Sequence, residues 1–164
     1  VIVVGLSTGA MLALHLAAHY QLEGVVALSP ALILKQKKVK YLRFLPSFIN
    51  INQNKKGPDI SDAQEKLNAV TYNKTPLKAA REVINLYDHI KMDLKDIYTR
   101  LLIVHSQKDH VADIKSAEYI YSEVSSQDKN FLILENSFHV ITRDIEKEIV
   151  FREIGYFIDN QADR

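Results

Sequence analysis

Three residues of this 164-residue chain are of the types, and in one of the orders, that acyl-transfer chemistry uses: Ser7, Asp109 and His139. A serine hydroxyl is a weak nucleophile until a neighbouring base takes its proton. Imidazole can take it near neutral pH, and a carboxylate on the far ring nitrogen fixes the tautomer and stabilises the imidazolium that forms. Ser7 is the centre of Gly5-Leu6-Ser7-Thr8-Gly9, a G-x-S-x-G pattern lying between an apolar run and a helix-forming run. In that setting the chain makes a sharp strand-to-helix turn that lifts the hydroxyl clear of the sheet. Glycines on either side are expected to remove Cβ atoms that would clash there. The Thr8 amide, at the helix N-terminus, is placed to act as an oxyanion donor.

Each of the three also has a plainer reading. Ser7 could simply cap the helix that follows, Asp109 could cap the next helix downstream, and His139 could be a surface loop residue. Position decides between them, because both partners stand just past an apolar strand run. RLLIVH (100–105) is followed by Ser106-Gln107-Lys108-Asp109, and NFLILE (130–135) by Asn136-Ser137-Phe138-His139. Asp113 is the better helix cap, since a helical pattern starts directly after it. Glu135 lies too close to its strand end to be favoured as the acid. His110 is the rival base but shares the acid's own loop, and His89 and His105 receive no role. His15 and His19 have the i, i+4 spacing of metal ligands, yet the sequence suggests no third ligand, so no metal is assigned.

The elements that must position these residues are legible from periodicity. Residues 1–4 and 24–28 are short apolar β-branched runs, and 8–20 between them is rich in helix formers. Strand, helix, strand in this tight order is a βαβ unit and implies a parallel sheet. Runs at 100–105 and 130–135 supply two more strands, with helices expected at 114–124 and 144–158. The block 32–95 differs. Lys35, Lys37, Lys38 and Lys40 read as a solvated helix face, a polar loop turns at Gly57–Pro58, and helical patterns occupy 63–70 and 76–90. The expected organisation is a core from residues 1–31 and 96–164 with a helical cap inserted at 32–95. Within that insert Tyr41, Leu42, Phe44, Leu45, Phe48 and Ile49 follow helical spacing. They could line an acyl pocket with Leu6 and Val140, or serve only to dock the insert on the sheet.

Composition narrows the partners. Apolar residues make up 47% and charged residues 25%, the balance of a globular domain, and a net charge of +1 gives no field to gather nucleic acid or anionic lipid. With no cysteine, thiolate metal sites and disulfides are excluded. The apolar stretch 1–18 is interrupted by Ser7, Thr8 and His15 and reads neither as a signal peptide nor as a stable membrane insertion. A cytoplasmic location is the expectation.

The segments GLSTG (5–9), KDHVADIKSAEYIY (108–121) and ENSFHVITRDIEKEIVFREI (135–154), with TPLKAAREVINLYDHI (75–90) more loosely, resemble the carboxylesterase and monoacylglycerol lipase group of α/β-hydrolases. The likeness thins out between 35 and 70. It implies Ser7, Asp109 and His139 as nucleophile, acid and base, a small-molecule ester as substrate, and no cofactor. Phe138 departs from the glycine common before the family's histidine and implies a reshaped loop. The resemblance also implies that the family's first strands, and the loop with a second oxyanion amide, lie outside this chain. On that reading only Thr8 serves as a donor, activity is weak, and the exposed first strand invites two chains to pair. The same triad also serves thioesterases and acyltransferases, and a non-catalytic binding module is the alternative from another class.

Overall fold

The computed structural model describes residues 1–36, 41, 52–54, 57–72 and 74–160. Its centre is a four-stranded sheet in the order β1-β2-β5-β6, built from Ile2–Leu6 (β1), Gly24–Leu28 (β2), Leu101–Ser106 (β5) and Lys129–Leu134 (β6). Every pair is parallel, as the βαβ pattern requires. Successive side chains of the two inner strands point to opposite faces. Val25, Ala27, Leu101 and Ile103 enter one core cluster, and Val26, Leu28, Leu102 and Val104 enter the other. Because both faces are covered, these strands read as unbroken apolar runs with no polar alternation.

Helix Thr8–His19 (α1) lays Ala10, Met11, Ala13, Leu14 and Ala17 on the first face. Helix Lys115–Glu123 (α4) adds Ala117 and Ile120 beside it, and Lys147–Asp159 (α5) closes the second face with Val150 and Phe157. Short helix Ala63–Asn68 (α2) and long helix Leu77–Asp93 (α3) come from the block 32–95 between β2 and β5, and α3 packs on α1 through Tyr87, Ile90 and the following Leu94. No described helix is long and apolar enough to cross a membrane.

Several boundaries differ from expectation. β1 runs on to Leu6 because Gly5 and Leu6 pair with Ala27 and Leu28. The inserted block is not wholly helical: Asn52–Asn54 (β3) and Lys74–Pro76 (β4) form a two-stranded antiparallel ribbon. Three-residue polar strands carry no period-2 apolar signal, so sequence pattern could not show them. Helix α5 starts at Lys147, not 144, because the Asp144 carboxylate is held in the preceding loop. Leu42, Phe44, Leu45, Phe48 and Ile49, with Lys37, Lys38 and Lys40, lie outside the described residues.

The two glycines of the turn are not equivalent. A Cβ on Gly5 would sit 2.1 Å from the Gly9 carbonyl oxygen and 2.7 Å from the Ala10 nitrogen, both backbone atoms. One on Gly9 would meet nothing within 4 Å, so the expected clash holds for Gly5 alone. Gly5→Ala should therefore lower the unfolding free energy by about 3 kcal/mol or more. Gly9→Ala should be neutral, or stabilising by up to about 1 kcal/mol through helix propensity. Urea titrations of the two variants beside the parent would check the contrast. Equal losses in both would contradict it.

Candidate active site

Ser7 joins the end of β1 to the start of α1 at φ 57°, one of two described non-glycine residues with positive φ. That conformation is unfavourable for an L-residue and persists only where the surroundings impose it. They do so here through the Ser7 amide, which donates to the Leu28 carbonyl at 2.9 Å, while the Ser7 carbonyl accepts from Ala10 and Met11. Ser7 stands where a helix cap would, yet its hydroxyl makes no capping bond. It lies 2.8 Å from His139 Nε2 instead.

His139 and Asp109 arrive from the ends of β6 and β5. His139 Nδ1 is 2.6 Å from Asp109 Oδ2, and both residues are buried. Burial works to raise the Asp109 carboxyl, but the His139 hydrogen bond and charge, with the Ala112 and Val111 amides, outweigh it and hold the group below the usual carboxylate range. An ionised carboxylate can only accept. Nδ1 is therefore the donor to Asp109, and neutral His139 presents Nε2 as acceptor to the Ser7 hydroxyl. Asp109 Oδ1 takes the Val111 and Ala112 amides at 2.7 and 2.8 Å, leaving Oδ2 to the histidine. Asp113 accepts from the Lys115 amide, but the N-cap place of α4 falls to Ile114, one residue later than expected, with no side-chain capping bond.

The loop carrying His139 is held by two carboxylates that follow it in sequence. Glu146 accepts from the amides of Glu135, Asn136 and Ser137 and from the Ser137 hydroxyl. Asp144 accepts from the Phe138 amide at 2.7 Å and, across the loop, from Ser61 and from the Asp62 amide. For both acids burial acts upward, and these donors override it to depress the pKa. Phe138 packs edge-on against His110, with ring centroids 4.3 Å apart. His110 itself points to Asp59 at 2.9 Å, not to Ser7.

Four residues that sequence reasoning missed touch this site. Asp59, in the inserted block, accepts from the His139 and His110 amides, and its carbonyl takes the Val140 amide. Tyr87 of α3 lies 2.9 Å from the Thr8 hydroxyl. His105 Nε2 is 3.5 Å from Asp109 Oδ2, and burial pushes its pKa down against the attraction of that carboxylate. The Ser106 hydroxyl donates to the Ser137 carbonyl and so ties the acid loop to the histidine loop. Asp59 and Tyr87 lie far in sequence from the residues they meet, and only the position of His105 and Ser106 at a strand end hinted at a place near the acid. Of the expected pocket residues, Leu6 packs against the second core cluster, Val140 is half-buried and Tyr41 is exposed.

A family model described as serine aminopeptidase, S33, matches residues 1–146. A carboxylesterase of Bacillus subtilis (strain 168) is 27% identical over 94% of this chain. A thermostable monoacylglycerol lipase of Bacillus sp. (strain H-257) is 29% identical over 96%. The chain spans 62% of the length of each of these relatives. A solved structure from work on two metagenome-derived lipolytic enzymes, LipS and LipT, superimposes with a TM-score of 0.89 at 29% identity, over 97% of this chain and 64% of its own. The sheet order and flanking helices are those of a partial α/β-hydrolase fold.

Three depressed carboxylates give the folded state a signed pH dependence. On unfolding, Asp109, Asp144 and Glu146 return to ordinary values, about 3.9 for Asp and 4.3 for Glu. The unfolded chain then binds protons first as pH falls, so their stabilisation is present above those values and is lost as pH drops through the lowered folded values. Urea unfolding free energies should begin to fall as pH drops below about 6.5, where the unfolded chain protonates His105 and the buried ring resists it, and should decline further from about pH 5 toward pH 3 as the carboxylates take up protons. A flat profile across the acid range would contradict the assignment. Asp144→Asn should be less stable at neutral pH and show a shallower acid slope.

Proposed function

The chain belongs to the S33 serine aminopeptidase family, and from that membership we propose that it is the part of a serine hydrolase that carries Ser7 as nucleophile, His139 as base and Asp109 as acid, acting on carboxylic esters. The observation that carries the proposal is the unbroken line of short contacts from the Ser7 hydroxyl through both ring nitrogens of His139 to a buried carboxylate. The strained backbone at Ser7 and its unused capping bond support it, since a serine serving only as a helix cap needs neither.

The chemistry follows from the geometry. His139 Nε2 takes the hydroxyl proton as Ser7 Oγ attacks the ester carbonyl, and Asp109 stabilises the imidazolium. The tetrahedral oxyanion meets the Thr8 amide at the N-terminus of α1, whose positive end favours it. Collapse returns the proton to the leaving alcohol and leaves Ser7 acylated. Water then attacks by the same route in reverse and frees the acid. None of these steps calls for a metal or cofactor. The relatives' names favour carboxylic esters and monoacylglycerols, and within them short and medium acyl esters are the substrates of this proposal.

The family's description favours a second reading, hydrolysis of peptides from a free N-terminus. Such a site needs a carboxylate to receive the substrate ammonium. Asp59, the acid beside His139 on the inserted block, already accepts from the His110 and His139 amides and faces the His110 ring. Ester hydrolysis is the better fit.

Labelling by a fluorophosphonate and turnover of p-nitrophenyl butyrate test the proposal. Ser7→Ala should abolish labelling and lower kcat by about 10⁴- to 10⁶-fold. Asp109→Asn, which keeps the shape but favours the wrong imidazole tautomer, should lower kcat by about 10⁴-fold. Labelling that survives Ser7→Ala removes Ser7 from the role. An L-leucine p-nitroanilide turned over faster than the ester would favour the peptidase reading.

A further inference from the structure

We propose that His15, His19 and Asp93 form a zinc site, separate from the hydrolytic centre, that clamps α1 to α3. One helical turn separates His15 and His19, which places both imidazoles on one face of α1. Asp93, the last residue of α3, brings a single carboxylate oxygen between them. Oδ2 lies 2.7 Å from His15 Nδ1 and 3.4 Å from His19 Nε2, and the three donor atoms all fall within 4.8 Å of one another. Donors held tetrahedrally at about 2.0–2.1 Å from an ion sit roughly 3.3 Å apart, so side-chain adjustments of about 1 Å or less create the cage. The two rings meet edge to face with centroids 4.4 Å apart, so they approach the carboxylate from different directions and do not stack in parallel.

Electrostatics at this spot favours a cation independently of the side chains. Thr8 meets Tyr87 and, further along both helices, His15 meets Asp93. The two helices therefore run the same way, and both C-terminal ends, with their negative partial charge, converge on the cluster. His19 is in the last turn of α1, and α3 gives way at Leu94 to a 3₁₀ turn. Two imidazoles and one carboxylate suit zinc and disfavour calcium or magnesium, which demand mainly oxygen ligands. Side-chain exposures of 37%, 50% and 18% for His15, His19 and Asp93 leave a path for the ion and room for water as the fourth ligand. His15 lies eight residues beyond Ser7, about 12 Å along the helix, so the role is structural.

Zinc titration of the metal-stripped full chain by calorimetry should show one ion per chain and a melting temperature that rises with zinc. Cobalt(II) should give the visible bands of a tetrahedral site. His19→Ala removes a half-exposed ligand while keeping the His15–Asp93 bond, so its metal-free melting temperature should stay close to the parent's. Asp93→Asn keeps the side-chain shape. Each should weaken zinc by more than about tenfold, since even outer-shell partners are worth that much. No binding up to about 1 mM zinc, or binding of parental strength in both variants, would overturn the proposal.

Discussion

An ionised carboxylate with no solvent exposure is unfavourable unless donors replace its water, and the surroundings of Asp109 are built to supply them. One oxygen receives two adjacent backbone amides and the other receives His139. That division orients the imidazole, because the only lone pairs left to the ring lie on Oδ2. The loop making this possible is itself fastened. The stretch after β2 pairs with it through the Leu34–Ala112 bridge, and bonds join Ile33 to Asp113 and Lys35 to Val111. The Lys35 ammonium also donates to the Asp109 carbonyl. Removing the carboxylate would leave two backbone amides and an imidazole without their acceptor at once.

The same device recurs one loop further on. Residues 135–138 leave the sheet and lose its ladder, so their amides need other acceptors. Asp144 and Glu146 provide them, two carboxylates serving four successive backbone N–H groups. Asp144 also reaches Ser61 and Asp62, and Asp59 reaches the His139 amide from the same inserted segment. The position of His139 therefore depends on residues some eighty places earlier in the chain. A change in how the inserted block packs would be felt at the imidazole before it was felt in the sheet.

Much of this was legible in the sequence because it rests on local pattern. The four parallel strands announce themselves as apolar runs, and Ser7, Asp109 and His139 as chemistry-bearing residues just beyond three of them. What could not be read has a common physical character. Asp59, Tyr87, Asp93 and Asp144 act across long sequence separations, and nothing in their immediate neighbours distinguishes a carboxylate that braces a distant loop from one that faces water. His15 and His19 show the difference most sharply: their spacing was visible, but the third donor sits 74 residues beyond His19, on another helix. Gly9 shows the converse, a motif residue whose expected steric role belongs to Gly5 alone.

The two contacts between α1 and α3 give the inserted block a second hold on the site. Tyr87 meets Thr8 at the beginning of α1, and Asp93 meets His15 and His19 near its end. Thr8 and His15 are about 10.5 Å apart along their helix, and Tyr87 and Asp93 about 9 Å along theirs, so the contacts match in spacing and hold α1 at both ends. A helix fixed at one point can pivot, and fixed at two it cannot. Since Ser7 opens α1 in a conformation that its own φ disfavours, the restraint has a direct consequence. It opposes the relaxation that would carry the hydroxyl away from His139, and it does so from a part of the chain that contributes no atom to the line of contacts from Ser7 through His139 to Asp109.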